Sequence, residues 1–302
     1  MTADRFDEFA WARSLGYRVW HDSRARVGLG VLLLVALSAV FAPLIAPYDP
    51  SIQLDIAHLQ SQPPSLAHLM GTDPFSRDVL SRLLYGTRIS LAIGLGAVVL
   101  SMSFGIAVGA TAGMAGGWVD ALLMRVVDAA LSVPRVLVLI LVVSLWNSVG
   151  LVPLTLLLAS TGWFAVSRLV RAETLAIRDR DFVVAARALG GTPFRQLVRH
   201  VLPNVLAPAL VAATLGIANV ILLEAGLSYL GIGLRPPAAS WGTIIQDGAE
   251  RVTELWWLTL FPGLAILVTV FACNALGDAL RDAFDPRQLP RGTTDATFAT
   301  EA

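Results

Sequence analysis

The fold of this chain follows from the stretch Ile89-Ser-Leu-Ala-Ile-Gly-Leu-Gly-Ala-Val-Val-Leu-Ser-Met-Ser-Phe-Gly-Ile-Ala-Val-Gly-Ala-Thr-Ala-Gly113. These 25 residues contain no charged side chain, and about 20 apolar residues are enough for a helix to cross the hydrocarbon core of a bilayer. Lipid cannot satisfy the polar groups of the backbone, so a crossing segment has to pair them internally, as a helix does. The stretch therefore predicts a membrane-spanning helix.

Composition extends this prediction to the whole chain. Of 302 residues, 56% are hydrophobic and 15% are charged, whereas soluble domains carry about 25% charged residues. The net charge is zero, so the sequence carries no electrostatic footprint of nucleic-acid binding. We therefore expect an all-α membrane protein with six transmembrane helices. The candidate spans are Val27–Ile45, Ile89–Gly113, Val119–Trp146, Leu151–Val170, Val205–Leu230 and Leu255–Leu276.

The placement of arginine predicts how these spans are oriented, because cytoplasmic loops carry an excess of Arg and Lys. All 22 basic residues of the chain are arginine. With the N-terminus inside, residues 1–26, 168–203 and 277–302 hold 15 of them, and the outer segments hold five. The sequence therefore predicts that both termini and the segment 168–203 lie in the cytoplasm.

A polar, arginine-rich segment separates the fourth and fifth spans. This basic segment reads Val183-Val-Ala-Ala-Arg-Ala-Leu-Gly-Gly-Thr-Pro-Phe-Arg-Gln-Leu-Val-Arg-His-Val-Leu-Pro203. Asp181 as N-cap and three alanines favour a short helix, which the Gly190-Gly191 pair ends. Thr192 as cap and Pro193 at the first helical position favour a second helix. The pattern predicts a helix–turn–helix lying parallel to the membrane.

The basic segment resembles the cytoplasmic EAA loop of ATP-binding cassette (ABC) importer permeases: Glu-Ala-Ala, three residues, Gly, nine residues, Ile-x-Leu-Pro. Val184 stands where that family has Glu, and His200 stands where it has Ile. In the family the short helix docks in a groove of the ATPase subunit, and a valine cannot accept the polar contact of the Glu. Coupling is then weaker here, or a residue such as Asp181 compensates. The resemblance implies ATPase-coupling residues at Val184, Ala185, Ala186, Arg187, Gly190, Leu202 and Pro203.

Two further stretches narrow the family to the oligopeptide/dipeptide/nickel permeases of the second-permease type. His68–Ser90 is similar to the pattern GTD-x-x-GRD-x-x-SR-x-x-YG-x-R-x-S, with Ser76 in place of Gly. Glu224–Gly242 resembles the pattern E-A-x-LS-[FY]-LG-x-G-x-x-PP-x-x-SWG. The resemblance runs from about Leu33 to Asp285 and implies a type I ABC importer (MetI-like) permease fold.

Hydropathy, charge and this resemblance divide the chain into four parts. They are a cytoplasmic N-terminal amphipathic segment, 1–26; the first transmembrane helix and outer connection, 27–87; an ABC type-1 transmembrane domain, 88–280, with a cytoplasmic coupling loop, 171–203; and a cytoplasmic tail, 281–302. The first part interleaves aromatic residues with charges, as a helix lying in the membrane interface would.

The resemblance also implies function and partners. The function is a permease subunit of an ATP-driven importer of di- and oligopeptides, with nickel complexes or another small solute of the same family as the alternative. The implied partners are a homologous permease subunit in a heterodimer, two ABC ATPase subunits, an extracytoplasmic substrate-binding protein and membrane lipid. The implied location is the bacterial inner membrane. No nucleic acid and no cofactor are expected.

Three charged side chains inside the predicted spans are further candidates. Arg125 and Asp128 are spaced i, i+3, so they are expected to pair on one helical face. Glu224 is expected to face protein or the aqueous path rather than lipid, either as a structural hydrogen-bonding group or as part of the substrate lining.

Other patterns bear on helix packing and on the outer surface. Gly105, Gly109 and Gly113 are four residues apart and allow close helix contact. Pro134 is predicted to kink the third span. In the outer motif, the segment 71–78 is expected to form turns, a cap and ion pairs that contribute about 1 kcal/mol or less each if exposed.

Two other classes of protein remain as alternatives. A stand-alone secondary transporter would carry internal repeats and ion ligands on discontinuous helices, and the sequence displays neither. A membrane-embedded enzyme would need paired carboxylates or histidines at helical spacing, and the four histidines are scattered. No P-loop, nucleophile elbow or zinc motif is present, so we expect a transport subunit rather than an enzyme.

Overall fold

The computed structural model describes residues 20–146, 149–235 and 237–284. Apart from two isolated bridges, these residues form helices, turns and loops, which confirms the all-α fold class. The helices are α1 (Ser23–Val40), α2 (Ala42–Ile45), α3 (Ile56–Leu59), α4 (Val79–Ala115), α5 (Gly117–Leu131), α6 (Arg135–Ser144), α7 (Leu151–Arg178), α8 (Asp181–Ala188), α9 (Pro193–Gln196), α10 (Leu202–Tyr229), α11 (Trp241–Gly248) and α12 (Trp257–Phe284).

Five helical segments of the described residues are long and apolar enough to cross a membrane. They are Ser23–Val40, Val79–Ala115, Leu151–Arg178, Pro193–Tyr229 and Trp257–Phe284. The pair α5 and α6 passes the same test together but is bent by 74°. The described residues therefore contain five candidate spans, or six if the bent pair is one span.

The predicted third span, Val119–Trp146, is thus not one kinked helix but two helices with a break between them. Pro134 causes the break, because its ring disfavours helical backbone at the residue before it and it has no N–H to donate. Pro134 itself has an extended ψ of 119° and is the N-cap of α6. The structure therefore corrects the predicted kink to a full interruption.

Arg135 fastens α6 to α7 directly after this break. Its Nε donates to Thr161 Oγ1 at 3.0 Å, and its Nη2 donates to the Leu158 carbonyl at 2.8 Å. A guanidinium inside a membrane-spanning segment needs such partners, because lipid offers none. The bent segment α5–α6 is therefore joined to α7 on the α6 side of the bend.

The pair α4 and α7 forms the centre of the molecule, and the glycine stripe explains how closely the two helices approach. A Cβ atom at Gly109 would lie 2.4 Å from the Ser167 carbonyl oxygen, and one at Gly105 would lie 2.6 Å from Val166. One at Gly113 would meet the side chain of Thr174. The predicted packing role of the stripe is confirmed. Around this pair, α10 packs against α4, and α12 packs against α10 and α1.

Parts of two predicted segments lie outside the described residues. They are residues 1–19 of the amphipathic segment 1–26 and residues 285–302 of the tail 281–302. Their predicted character therefore stays a prediction. Helix α4 begins at Val79, so the outer connection leads into the second span before the predicted limit at 87.

Candidate functional site

The basic segment forms a short helix that is anchored by one side chain. In α8, Val183 is fully buried, and it belongs to a cluster with Val170 and Ile177 of α7. The same cluster contains Val201, just before α10, and Ala110 of α4. Val183 therefore connects α8 to the ends of three long helices through apolar packing.

The remaining side chains of this region are mostly open to the surroundings. Val184 is 45% exposed, and Ala185 and Arg187 are exposed beside it. Two apolar side chains further along stand out more, with Leu189 89% exposed and Phe194 75% exposed. Several large apolar side chains left exposed on one short polar segment favour a surface that contacts another protein.

The turn after α8 has the geometry of a glycine-ended helix. Gly190 has φ +83°, which glycine adopts without steric cost. The N–H of Gly191 donates to the Ala186 carbonyl at 3.0 Å, satisfying an acceptor at the helix end. Thr192 then caps the next helix by accepting from the N–H of Arg195 at 3.3 Å. The predicted helix end and the second cap are both confirmed.

The start of α8 differs by one residue from the prediction. Arg180, with an extended backbone at ψ 150°, occupies the N-cap position, and Asp181 is the first helical residue. No side chain caps this end, so the prediction of Asp181 as N-cap was wrong. Asp181 still lies in the first turn, where a carboxylate interacts favourably with the helix dipole.

The second helix of the predicted helix–turn–helix does not end before the membrane span. Residues from Pro193 to Tyr229 form one helical run, with a π-helical turn at Leu197–Val201. A proline ring clashes with the carbonyl four residues before it, and a wider turn relieves this clash ahead of Pro203. Leu202 and Pro203 are therefore the first two residues of α10, and the π-helical turn separates them from α8.

A second group of polar side chains joins the predicted outer connection to α11. Asp73 accepts from Arg77 Nε at 2.6 Å and from Arg82 Nη1 at 2.5 Å. Asp247 of α11 accepts from Arg77 Nη2 at 3.0 Å and from Arg82 Nη1 at 2.6 Å. We call Asp73, Arg77, Arg82 and Asp247 the outer ion cluster.

The outer ion cluster is buried, whereas the ion pairs of this segment were considered as exposed ones. Asp73 is fully buried, and both arginine side chains are at most 7% exposed. Asp247 was not found by sequence reasoning, because it lies 170 residues from Arg77 and no local pattern marks it. The cluster connects the start of α4 to α11, so it fixes the outer connection against the rest of the molecule.

Asp78 supplies the cap chemistry that the outer motif predicts. Its Oδ2 accepts from the backbone N–H and from the hydroxyl of Ser81, at 2.8 and 2.7 Å. Its Oδ1 lies 2.9 Å from His68 Nδ1, and both side chains are buried. Asp78 is therefore the N-cap of α4 and ties the preceding turn to it.

Glu224 lies at the meeting point of three helices. It is fully buried in α10. Ser228 Oγ donates to its Oε1 at 2.8 Å, and Ser90 Oγ of α4 lies 3.5 Å from Oε2. Ser90 also accepts from the backbone N–H of Trp241 in α11 at 3.3 Å. The side chain thus faces protein, one of the two environments expected for it.

We expect Glu224→Gln to preserve both folding and uptake. Only serine hydroxyls are hydrogen-bonded to the carboxyl group among the described residues, and an amide oxygen accepts from a hydroxyl equally well. Glu224→Leu, by contrast, leaves a buried hydroxyl of Ser228 without its partner, which costs about 1–3 kcal/mol. Melting temperature and transport rate test both variants. Normal assembly with abolished uptake in Glu224→Gln would instead assign the charge to the substrate path.

The predicted pairing of Arg125 with Asp128 is wrong. Asp128 Oδ1 lies 3.7 Å from Arg168 Nε of α7 instead, and the structure records no ion pair of Arg125 among the described residues. Both Arg125 and Asp128 are exposed. The neighbouring helix competes with the i, i+3 contact, since Arg168 approaches Asp128 from the side.

Comparison with known proteins agrees with the motifs. Residues 105–289 match the family described as "Binding-protein-dependent transport system inner membrane component". Residues 14–64 match "N-terminal TM domain of oligopeptide transport permease C".

Full-length relatives are similar over most of the chain. A putative peptide transport system permease protein of Brucella abortus is 44% identical over 275 residues, which cover 89% of this chain and 90% of the relative. A putative peptide permease protein of Brucella suis is 44% identical over 269 residues, 88% of each. A di/tripeptide transport system permease protein of Pseudomonas aeruginosa is 40% identical over 273 residues, 88% of this chain and 89% of the relative.

Proposed function

This chain belongs to the family of binding-protein-dependent transport system inner membrane components, and we propose that its cargo is di- and oligopeptides. Membership makes it a permease subunit of an ABC importer, a multi-pass protein of the inner membrane. Support for peptide cargo comes from the relatives, whose names describe peptide and di/tripeptide transport. The binding protein that delivers the substrate selects among peptides.

The assembly that we propose contains this chain, a homologous permease subunit, two ABC ATPase subunits and an extracytoplasmic binding protein. The energy source lies in the ATPases, so the purified chain alone is expected to hydrolyse no ATP. The excess of arginine in 1–26, 168–203 and 277–302 supports cytoplasmic termini and a cytoplasmic basic segment. The outer ion cluster then lies on the side where the binding protein delivers its cargo.

The observation that carries this function is the arrangement of α8. One residue, Val183, is buried among the long helices, while the neighbouring surface at Val184 and Ala185 is open. When a partner protein displaces a helix held in this way, the Val183 cluster transmits the displacement to α4, α7 and α10. Closure of an ATPase against α8 therefore shifts the ends of three helices together, and the permease changes the side to which its path is open.

The nature of the contact follows from the residue at position 184. The family's Glu offers a polar contact, whereas Val184 stands here beside other exposed apolar side chains, Phe182 and Leu189. We infer that the ATPase surface facing this subunit is apolar at this point. Burial of these side chains in a groove supplies contact free energy at about 25 cal/mol per Å².

The experiment is a substitution that blocks the exposed surface of α8 and leaves the buried Val183 unchanged. In Ala185→Arg, a long charged side chain projects from the exposed face of α8. We expect the amount of ATPase that co-purifies with the permease complex to fall roughly tenfold, which corresponds to about 1.4 kcal/mol of lost contact. Peptide uptake is expected to fall in parallel.

The matched control is Ala57→Arg, which places the same side chain at an exposed position of α3 in the outer connection. We expect it to leave ATPase association unchanged. Docking at α8 is refuted if Ala185→Arg retains both the ATPase and the uptake rate of the unmodified chain.

A further inference from the structure

The end of α7 that leads into α8 carries two arginines that are hydrogen-bonded to the neighbouring helices α4 and α5. Arg171 donates from Nε to Asp120 Oδ1 at 2.5 Å and from Nη2 to Asp120 Oδ2 at 2.6 Å. Arg178 donates from Nη1 to the Gly113 carbonyl of α4 at 2.7 Å. Such a two-bond fork between guanidinium and carboxylate fixes both distance and orientation. Asp120 lies in the first turn of α5, so the fork joins α5 to α7.

Apolar packing alone holds α5 weakly. Among its residues only Met124 and Val127 are buried, and their cluster is small. The Asp120–Arg171 pair is partly shielded, with side chains 14% and 33% exposed. A second ion pair between the two helices, Asp128 with Arg168, is longer at 3.7 Å, and each of its side chains is 59% exposed. The fork at Asp120 is therefore the strongest polar connection between α5 and α7.

The placement of this fork gives it a mechanical role. Helix α7 ends at Arg178, and α8 begins at Asp181, so little chain separates the docking surface from Arg171. On the other side of the fork, α5 leads through the 74° bend at Pro134 into α6. If a displacement of α8 tilts α7, the fork therefore moves α5, the first helix of the bent segment.

We propose that the Asp120–Arg171 fork transmits the movement of α8 to the bent segment α5–α6, which makes Asp120 and Arg171 positioning residues for ATP-driven transport. This proposal rests on the proposed function of α8. Without the fork, the ATPase still docks and closes, but α5 no longer follows α7. The path across the membrane then opens less often for each ATP hydrolysed.

The test measures ATP hydrolysis and peptide import in the complete transporter in proteoliposomes. For Asp120→Asn, we expect normal assembly with the ATPase, ordinary ATP hydrolysis and a roughly tenfold loss of peptide imported per ATP, within the usual range of coupling between sites. Arg171→Lys keeps the charge but loses the fork, so a loss of roughly threefold is expected.

The matched control is Asp282→Asn. Asp282 of α12 also pairs with an arginine of another helix, Arg24 of α1 at 4.0 Å, but this exposed pair involves neither α5 nor α7. We expect its import per ATP to equal that of the unmodified chain. The failures of the two proposals are distinguishable. If the docking proposal fails, Ala185→Arg retains the ATPase, whereas if only the fork proposal fails, Ala185→Arg loses the ATPase and Asp120→Asn imports the ordinary amount of peptide per ATP. Unchanged import per ATP in Asp120→Asn, or a loss explained fully by a lower melting temperature and poorer assembly, overturns the proposal.

Discussion

Asp73→Ala is expected to leave little folded protein in the membrane. The substitution removes one of two carboxylates from the outer ion cluster, so that Arg77 and Arg82 share Asp247 alone. Breaking a buried ion pair by removing one partner costs about 3–5 kcal/mol, because an uncompensated charge stays buried. The total stability of a protein is often only about 5–15 kcal/mol. Nε of Arg82 already lacks a hydrogen-bond partner, so no spare acceptor is at hand.

The measurement is the yield and melting temperature of the detergent-solubilised complex. Asp49→Ala serves as the control, because Asp49 lies in the same outer connection but is exposed and bonds to its neighbour Ser51. Its melting temperature is expected to stay within experimental error of the unmodified chain. If Asp73→Ala melted at the same temperature as Asp49→Ala, the outer ion cluster would not stabilise the fold.

Gly109→Leu is expected to separate α4 from α7 and abolish assembly. Even a Cβ atom at this position would lie 2.4 Å from the Ser167 carbonyl oxygen and 2.9 Å from Val170 Cβ. These obstacles lie on the backbone and on a β-branched side chain, neither of which rotates away. The helices have to move apart, so the packing of the central pair is lost along its length. Overpacking in a tight core costs about 1–3 kcal/mol for added methylenes, and more where backbone blocks the space.

The control for this variant is Gly30→Leu. Gly30 is a glycine of α1 with no atom within 4 Å of an added Cβ, so a side chain there meets open space. Size-exclusion profiles and uptake rates are expected to be ordinary for Gly30→Leu and lost for Gly109→Leu. Comparable assembly of the two variants would contradict the close approach of α4 and α7.

Much of the architecture was predictable because its causes are local in the chain. Uncharged runs of membrane length predicted the spans, since a helix in lipid satisfies its own backbone. Gly190 and Thr192 predicted the end of one helix and the start of the next, since caps act over three or four residues. The spacing of Gly105, Gly109 and Gly113 predicted close packing, although not the partner helix.

Two of the errors concern choices between neighbouring local structures. The N-cap of α8 moved from Asp181 to Arg180 because the backbone turns extended one residue earlier. Pro134 was recognised as a disturbance, but a kink and a full break share the same sequence pattern. The bonds of Arg135 to α7, which accompany the full break, join residues more than 20 positions apart and are not visible in that pattern.

What tertiary structure alone decided are the contacts between residues far apart in sequence. Asp247 joins Arg77 and Arg82 across more than 160 residues, and Asp128 pairs with Arg168 rather than with nearby Arg125. A sequence states which charges exist, and their helical spacing states which could meet on one helix. It does not state which helices lie side by side. The chain thus carries its membrane architecture, its caps and its family motifs in local patterns. Helix packing decides which charged side chains meet, because an ion pairs with an opposite charge only where the packing brings the two within reach.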